Sequence, residues 1–216
     1  LSPNQYQFLM RGQVISQGEV MPGHWMAMNT ANSSVVLKGV PTTEPVFKLP
    51  ATWVDEVERR NAEMAGYTVV DSSSVMVTHL SESIRRHSYQ ILTRQDVQVL
   101  LDNLKDDHPA LINELIPNML NIGQIQRILQ NLLAEVIPIR NLVGILERVA
   151  DHAAATKNPD EPSEHARRVL GPEIVRPFLT DENEVQAVTM EPWLEEEIAK
   201  GLQKSATESV LFMEPK

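Results

Sequence analysis

Hydrophobic residues in the first third of the chain come in short runs that are separated by turn residues. The segments 6–20 and 24–28 carry most of the early aromatic and aliphatic side chains, and glycines and the Pro22-Gly23 pair interrupt them. Runs of this length bounded by turn residues are typical of strands. We therefore predict two or three strands here, followed by a looser connection over the Ser-, Thr- and Pro-rich stretch 29–50.

A helix is predicted next, because Thr52 is a suitable N-cap residue and Gly66 a suitable end. Its apolar residues would be Trp53, Val54, Val57 and Met64. The run of Tyr, Thr and two Val residues over 67–70 then predicts one more strand.

After Asp71, apolar residues recur at intervals of three and four, which is the pattern of amphipathic helices. The predicted buried stripe of the first such helix is Val77, Leu80, Ile84 and Ile91. Thr93 and Asp96 have the spacing of a capping box and would open a second helix. Its expected buried stripe is Val97, Leu100, Leu101 and Leu104. Pro109 would occupy the first turn of a third, where proline is tolerated.

The same periodicity continues towards the C-terminus. Apolar stripes over 125–133 and 142–149 predict two further helices, and 165–170 predicts a short one. The segment 184–190 is a candidate strand, and Pro192 would begin a last helix. We expect this helix to turn Trp193, Leu194, Ile198 and Leu202 inward.

Composition narrows the class of protein. The chain has 216 residues, of which 42 % are hydrophobic, enough to build one large domain or two to three small ones. Its 29 acidic and 19 basic side chains give a formal net charge of −10, which repels nucleic acid and anionic lipid surfaces. We therefore expect no nucleic-acid partner.

Cysteine usage and hydropathy bear on the setting of the protein. With no cysteine in the chain, disulfides, thiolate metal sites and thiol nucleophiles are excluded, and a cytosolic setting fits best. No apolar run approaches the roughly 20 residues that cross a bilayer, and the chain begins with Leu1 rather than an initiator methionine. We expect a soluble segment of a longer protein.

The common signatures of catalysis do not occur in the sequence. The glycines fit no phosphate-binding loop, and neither a G-x-S-x-G elbow nor an H-E-x-x-H motif is present. The best enzyme candidate is the pair His79 and His87, eight residues apart on one predicted helix, with Glu82 between them. Two such imidazoles lie about 12 Å apart along the helix axis, too far for one zinc ion. We predict no catalytic residue, no metal and no cofactor.

Two basic clusters have nearby acidic residues. Glu82 lies one turn before Arg86, and Glu161 and Glu164 lie close to Arg167 and Arg168. Oppositely charged residues at this spacing pair on an exposed helix face, so we interpret both clusters as solvated surface rather than as anion sites.

Apolar or aromatic side chains at helix edges are better candidates for function, because a shallow exposed depression can bind a partner helix. Tyr89 and Leu92 lie near the end of one predicted helix, and Gly123 leaves room beside the start of another. We regard these three positions as candidates for protein binding.

Several stretches resemble one family, the FlhA/InvA/LcrD (FHIPEP) export-gate proteins of flagellar and virulence type III secretion. The similarity is strongest between Phe47 and Leu179, and the residues in its blocks are more like those of the flagellar branch. Its main blocks are Leu49-Pro50-Ala51-Thr52-Trp53-Val54, Ala62-Glu63-Met64-Ala65-Gly66-Tyr67-Thr68-Val69-Val70-Asp71, Thr78-His79-Leu80-Ser81-Glu82-Ser83-Ile84-Arg85-Arg86-His87, Thr93-Arg94-Gln95-Asp96-Val97, Leu129-Gln130-Asn131-Leu132-Leu133, Ile137-Pro138-Ile139-Arg140-Asn141-Leu142 and Val169-Leu170-Gly171-Pro172.

The resemblance implies an α+β fold of several subdomains, in the cytosolic region that follows a membrane-spanning N-terminal part. A ferredoxin-like α/β subdomain would comprise 1–70 and 117–136, with an all-helical subdomain inserted over 71–116. A third, mostly helical subdomain would cover 137–216, and most of the fourth would be absent.

The resemblance also implies a role. Family members form a nonameric ring at the cytoplasmic face of the bacterial inner membrane and bind export chaperones with their cargo in a shallow hydrophobic depression between the first two subdomains. Alignment places the key positions at Tyr89, Leu92 and Gly123, with Leu115 nearby; family members carry an acidic residue, a phenylalanine and a threonine at the first three. Expected partners are chaperone–substrate complexes, other export proteins including the ATPase complex, and further copies of the chain, with membrane attachment only through the N-terminal region.

Three alternatives remain open. The chain could belong to the virulence injectisome branch, or it could be a structural ring component that binds no cargo. An enzyme that uses His79, His87 and Glu82 would instead bind a divalent metal and lose activity on chelation.

Overall fold

The computed structural model describes residues 3–153, 160–204 and 209–213. The chain divides into two units, Leu1–His87 and Ser88–Lys216. The subdomain boundaries expected from the resemblance stay a prediction.

The first unit begins with an antiparallel hairpin. Strands β1 (Gln5–Met10) and β2 (Gln13–Glu19) pair from Gln5 opposite Glu19 to Met10 opposite Gln13. The two loop residues, Arg11 and Gly12, both have positive φ, as required by the type I′ turns that match the twist of a hairpin.

Four further strands form the main sheet of the first unit. They are β3 (Trp25–Met28), β4 (Val40–Thr43), β5 (Pro50–Val54) and β6 (Thr68–Asp71). Their order is β4-β5-β3-β6, and all neighbouring pairs are antiparallel. Successive strand residues point to opposite faces, so Met26 and Ala27 contribute to two separate apolar clusters.

The helix predicted to start at Thr52 was placed too early. Thr52, Trp53 and Val54 lie in β5, and helix α1 (Glu56–Met64) begins after Asp55, whose carboxylate accepts a hydrogen bond from the backbone N–H of Glu58. Pairing of β5 with both β3 and β4 buries Trp53 and Val54 as strand residues. The predicted end at Gly66 and the strand after it are confirmed.

Helix α2 (Ser72–Ile91) was predicted correctly, but its buried stripe was not. Val77, Leu80 and Ile84 are 60 %, 40 % and 49 % exposed, and Ile91 is exposed too. The buried residues are instead Val75, His79 and Ser83, one helical turn apart. Two of these three are polar, which an apolar periodicity does not detect.

The second unit is mostly helical. Its helices are α3 (Arg94–Asp107), α4 (Pro109–Leu115), α5 (Ile122–Ala134), α6 (Leu142–Ala153), α7 (Asp160–Val169), α8 (Gly171–Val175) and α9 (Pro192–Gly201). A 3₁₀ turn covers Arg176–Phe178, and strands β7 (Leu202–Lys204) and β8 (Ser209–Leu211) form a small hairpin.

The core of this unit is one continuous cluster contributed by α3 to α7. Its fully buried side chains include Val97, Leu115, Ile128, Leu132 and Ile145. Of the predicted core positions, Ile128 and Leu132 are buried, and Leu100 and Leu104 pack against the cluster while partly exposed.

Two predictions towards the C-terminus were wrong. Residues 184–190 form no strand, and Val185 makes only an isolated bridge with Leu179. Trp193 and Leu202 do not turn inward, because they are 58 % and 40 % exposed, and Leu202 lies in β7 rather than in α9. Within the residues that the structure describes, no helix is both long and apolar enough to cross a membrane.

Candidate functional site

The centre of the candidate site is Leu92, in the short connection between α2 and α3. Its backbone N–H donates to the carbonyl of Ser88, so it continues the last turn of α2. Its carbonyl oxygen accepts hydrogen bonds from the side-chain amides of Gln126, at 3.0 Å, and Gln130, at 3.2 Å. Two glutamines of α5 therefore hold the connection in place, and the Leu92 side chain packs, partly exposed, against the core.

Capping boxes hold the start of α3, which follows Leu92, and the start of α5, which contains Gly123. Thr93 and Asp96 exchange hydrogen bonds at the start of α3, and Asn121 and Gln124 do so at the start of α5. Hydrogen bonds from the hydroxyl and the backbone N–H of Thr93 hold the pKa of the Asp96 carboxyl below its ordinary value. Each box satisfies N–H groups that a helix start leaves unpaired, which stabilises both helix starts.

Gly123 lies in the first turn of α5, next to the guanidinium of Arg94. A Cβ at this position would be 3.1 Å from Nη2 of Arg94 and 3.2 Å from the side-chain oxygen of Asn121. The glycine thus allows Arg94 to approach the helix. Beside it is an open pocket of about 570 Å³ lined by Arg94, Gln95, Gln98, Asn121, Ile122 and Gly123.

Arg94 is exposed and carries a positive charge into this pocket. Among the described residues, no carboxylate is within ion-pair distance of its guanidinium. The pocket can therefore offer a cation and side-chain amides to a bound molecule.

Tyr89 belongs to the same region, because it lies on α2, the helix that leads to Leu92. It lies in the last turn of α2, three residues before Leu92, and is partly buried. Its hydroxyl accepts a hydrogen bond of 2.6 Å from the side-chain amide of Gln90.

Leu115 is placed differently from the other three candidates. It ends α4 with 0 % of its side chain exposed, inside the core cluster. A side chain without exposed area does not touch a docked partner in this structure, so its position fits a supporting role beneath the site. We name Tyr89, Leu92, Arg94 and Gly123 the Leu92 surface.

The histidines considered as an enzyme site are engaged elsewhere, in the first unit. Both ring nitrogens of His79 are hydrogen-bonded, Nδ1 to the hydroxyl of Tyr6 and Nε2 to that of Ser16. His87 bonds through Nδ1 to the carbonyl of Ser83. In the part of the chain that the structure describes, no group of three His, Asp or Glu residues could hold a metal ion.

The expected surface ion pairs are present. Glu82 pairs with Arg86 at 2.9 Å and lies 3.9 Å from Arg85. Arg167 pairs with Glu164 as expected and also with Glu135. The Arg85 and Arg86 side chains are exposed, whereas Glu82 and Arg167 are partly buried, with 25 % and 26 % of their side chains exposed. Ion pairs at such exposed surfaces contribute little to stability.

Sequence reasoning missed three residues of this region: Arg94, Gln126 and Gln130. Arg94 follows the Thr of a capping box and is close in sequence to Leu92, a signal that could have drawn attention to it. The glutamines are 34 and 38 residues away from Leu92, and no local pattern predicts their contact.

Two curated relatives of the chain are flagellar proteins. The chain is 37 % identical over 215 residues to the flagellar biosynthesis protein FlhA of Bacillus subtilis, covering 100 % of this chain and 32 % of the relative. With FlhA of Borreliella burgdorferi the identity is 39 % over 215 residues, covering 100 % and 31 %. The chain therefore spans about a third of the length of these relatives.

Solved structures share the fold at low sequence identity. The CdsV protein of Chlamydia pneumoniae superposes with a TM-score of 0.84 at 22 % identity, covering 100 % of this chain and 62 % of that one. CdsV in its complex with CdsO gives 0.81 at 22 %, covering 96 % and 62 %. The nonameric SctV-C of EPEC gives 0.74 at 18 %, covering 98 % and 64 %.

The α+β architecture therefore agrees with the fold of these solved structures. The FHIPEP family model matches residues 1–216, the whole length of the sequence. The chain belongs to the FHIPEP family.

Proposed function

We propose that this chain is the cytosolic docking part of a flagellar type III export gate and binds export chaperones with their cargo at the Leu92 surface. It acts without covalent chemistry, by holding partners beneath the membrane-embedded part of the gate. The observation that carries the proposal is the fixed position of Leu92, whose carbonyl is held by Gln126 and Gln130 while its side chain stays partly exposed.

The chemistry of the Leu92 surface supports a protein partner. Leu92 and Tyr89 supply partly exposed apolar and aromatic area, which a helix can cover with its apolar face. Arg94 supplies a positive charge that favours an acidic residue of the partner. The capping boxes on both sides keep these groups in place before binding, which lowers the entropy lost on docking.

The flagellar assignment rests on the curated relatives, which are flagellar FlhA proteins. The injectisome branch is the alternative, because the similar solved structures include CdsV and SctV-C. We propose further that the full-length protein lies in the bacterial inner membrane, forms a ring of nine copies and contacts other export proteins, including the ATPase complex. The nonamer of SctV-C and the complex of CdsV with CdsO support this extension.

A structural ring component that binds no cargo is the second candidate function, and the nonamer of SctV-C favours it. It predicts that the chain associates with itself but has no affinity for chaperone–cargo complexes.

Calorimetric titration with a late-substrate flagellar chaperone bound to its cargo separates these functions. We expect the wild-type chain to bind, and Leu92→Asp and Gly123→Gln to weaken binding at least about tenfold. Val188→Asp is the matched control, because Val188 is fully exposed at 100 % in the same unit and outside the Leu92 surface. Circular dichroism confirms that each variant is folded.

The outcomes are distinct. Equal affinity of the wild-type chain and both surface variants would place docking elsewhere on the chain. If the folded wild-type chain binds no chaperone–cargo complex and sedimentation shows self-association, the structural function is correct.

A further inference from the structure

A second cleft lies in the helical unit, between the start of α4 and one face of α6. Its volume is about 970 Å³. It is lined by Asp107, His108, Pro109, Ala110, Leu111, Glu114, Met119, Gly144, Glu147, Arg148, Ala150 and Asp151. We name it the acidic cleft; it shares no residue with the Leu92 surface.

Part of the lining is apolar. Leu111 and Met119 line the cleft from the edge of the core and are partly exposed, and Ala150 lines it with only 9 % of its area exposed. Pro109 and Ala110 add exposed apolar area at the first turn of α4. A partner that inserts apolar side chains would displace water from this area.

The rest of the lining is charged and mostly negative. Asp107, Glu114, Glu147 and Asp151 are acidic, and all four are exposed. The cation Arg148 lies 3.5 Å from Asp151. In the ranges that the structure describes, the other three carboxylates have no ion-pair partner, so the cleft presents uncompensated negative charge.

We propose that the acidic cleft is a second docking surface, which binds a basic amphipathic helix of a partner protein. The apolar ridge of this helix lies on Leu111, Met119 and Ala150, and its Lys or Arg side chains face Asp107, Glu114 and Glu147. With its side chains, such a helix is about 10–12 Å wide. Attraction between its basic side chains and the carboxylates of the cleft orients the helix and speeds its association with the chain.

The inference is independent of the function proposed above. The Leu92 surface presents Arg94 and amide groups, whereas the acidic cleft presents carboxylates, so the two surfaces favour partners of opposite charge. Nucleic acid is repelled by the cleft. The two surfaces can be tested in the same chain with separate variants.

A synthetic peptide tests the proposal directly. The probe is a fluorescein-labelled amphipathic helix of about 18 residues with a leucine ridge and lysine flanks, and the comparison peptide has glutamate in place of each lysine. Fluorescence anisotropy should show saturable binding of the lysine peptide to the whole chain and at least about tenfold weaker binding of the glutamate peptide. Absence of saturable binding by the lysine peptide at low ionic strength would overturn the proposal.

Variants locate the binding site. Glu114→Lys with Glu147→Lys should weaken binding of the lysine peptide at least about tenfold. Asp181→Lys with Glu182→Lys makes the same change of net charge at exposed positions outside the cleft and should weaken it less than about twofold. Equal weakening by both pairs would show that only the overall charge of −10 attracts the peptide, and the proposal would fall.

A neutral variant tests the apolar contact separately. Ala110 is exposed at the first turn of α4, so Ala110→Trp fills the cleft with little effect on the core. We expect this variant to weaken binding of the lysine peptide at least about fivefold, while the affinity for the chaperone–cargo complex stays unchanged. Full affinity of the peptide for this variant would contradict insertion of the helix into the cleft.

Discussion

The hydroxyl of Tyr6 and Nδ1 of His79 lie 2.7 Å apart, and the hydroxyl of Ser16 lies 2.6 Å from the other ring nitrogen. One buried imidazole of α2 therefore bonds to both strands of the β1–β2 hairpin. A neutral imidazole has one donor and one acceptor nitrogen, and a hydroxyl can serve either, so all three groups are satisfied. The ring of Phe8 contacts the imidazole edge to face at 5.3 Å.

The first prediction concerns acid stability. Burial, then the positive charge of Lys48, lowers the pKa of His79, while Glu44 acts in the opposite direction and Arg86 adds to the lowering. The folded protein thus holds His79 neutral at a pH where the unfolded chain, with a pKa of about 6.5, is already protonated. The unfolded state binds more protons in this window, so the free energy of unfolding should fall as the pH drops below about 6.5.

Urea unfolding at several pH values between about 5 and 8 measures this effect. His79→Gln should flatten the dependence of the unfolding free energy on pH, because it removes the titrating group. His24→Gln, which leaves the His79 hydrogen bonds intact, should keep the slope. Identical slopes in the wild-type chain and His79→Gln would disprove the prediction.

The second prediction concerns alkaline stability. Burial, with a smaller effect of the Glu44 carboxylate, raises the pKa of Tyr6 to about 12. The unfolded chain releases this proton near pH 10, where the folded protein still keeps it. Stability should therefore fall as the pH rises from about 10 towards 12, and Tyr6→Phe should remove this part of the decline.

Tyr6→Phe should also lower the stability of the folded protein at neutral pH. Tyr6→Phe leaves a buried nitrogen of His79 without a partner, which should lower the free energy of unfolding by about 1–3 kcal/mol. Tyr67→Phe is the matched control, because the Tyr67 hydroxyl bonds to the carbonyl of Val35 and not to a buried histidine. A larger loss in Tyr67→Phe than in Tyr6→Phe would argue against the histidine network as a source of stability.

The third prediction concerns the start of α3 beside Leu92. Thr93→Ala removes the side-chain half of the capping box and should cost about 1 kcal/mol, whereas Thr93→Ser should keep most of it. Urea unfolding checks both values. An equal loss in the two variants would show that the methyl group of Thr93, rather than its hydroxyl, stabilises the helix start.

Local features of the fold were predictable from the sequence and distant ones were not. The capping box of Thr93 and Asp96 and the first-turn Pro109 depend on residues within one turn, and both were predicted correctly. The buried face of α2 depends on hydroxyls of Tyr6 and Ser16, 73 and 63 residues from His79. No apolar periodicity contains that information, and for this reason the predicted stripe was the exposed one.

The same distinction between local and distant sequence information applies to the candidate site. Tyr89, Leu92 and Gly123 came from the family resemblance and from their places at helix ends, and their part in docking stays a prediction. The support of Leu92 by Gln126 and Gln130 depends on how α5 lies against the connection. Thr52 shows the opposite error: its local pattern suits a helix cap, but pairing with β3 and β4 makes it a strand residue.

The last prediction separates stability from docking at Gly123. Alanine has a higher helix propensity than glycine by up to about 1 kcal/mol, but its Cβ would press on the Arg94 guanidinium at 3.1 Å. Because the end of an arginine side chain moves easily, Gly123→Ala should leave the unfolding free energy unchanged or raise it by up to about 1 kcal/mol.

Moving Arg94 should nevertheless weaken binding of the chaperone–cargo complex. A double-mutant cycle with Arg94→Ala measures the link, since Gly123→Ala should have a smaller effect on binding when the guanidinium is already absent. Equal effects in both backgrounds would show that Gly123 acts on docking without Arg94.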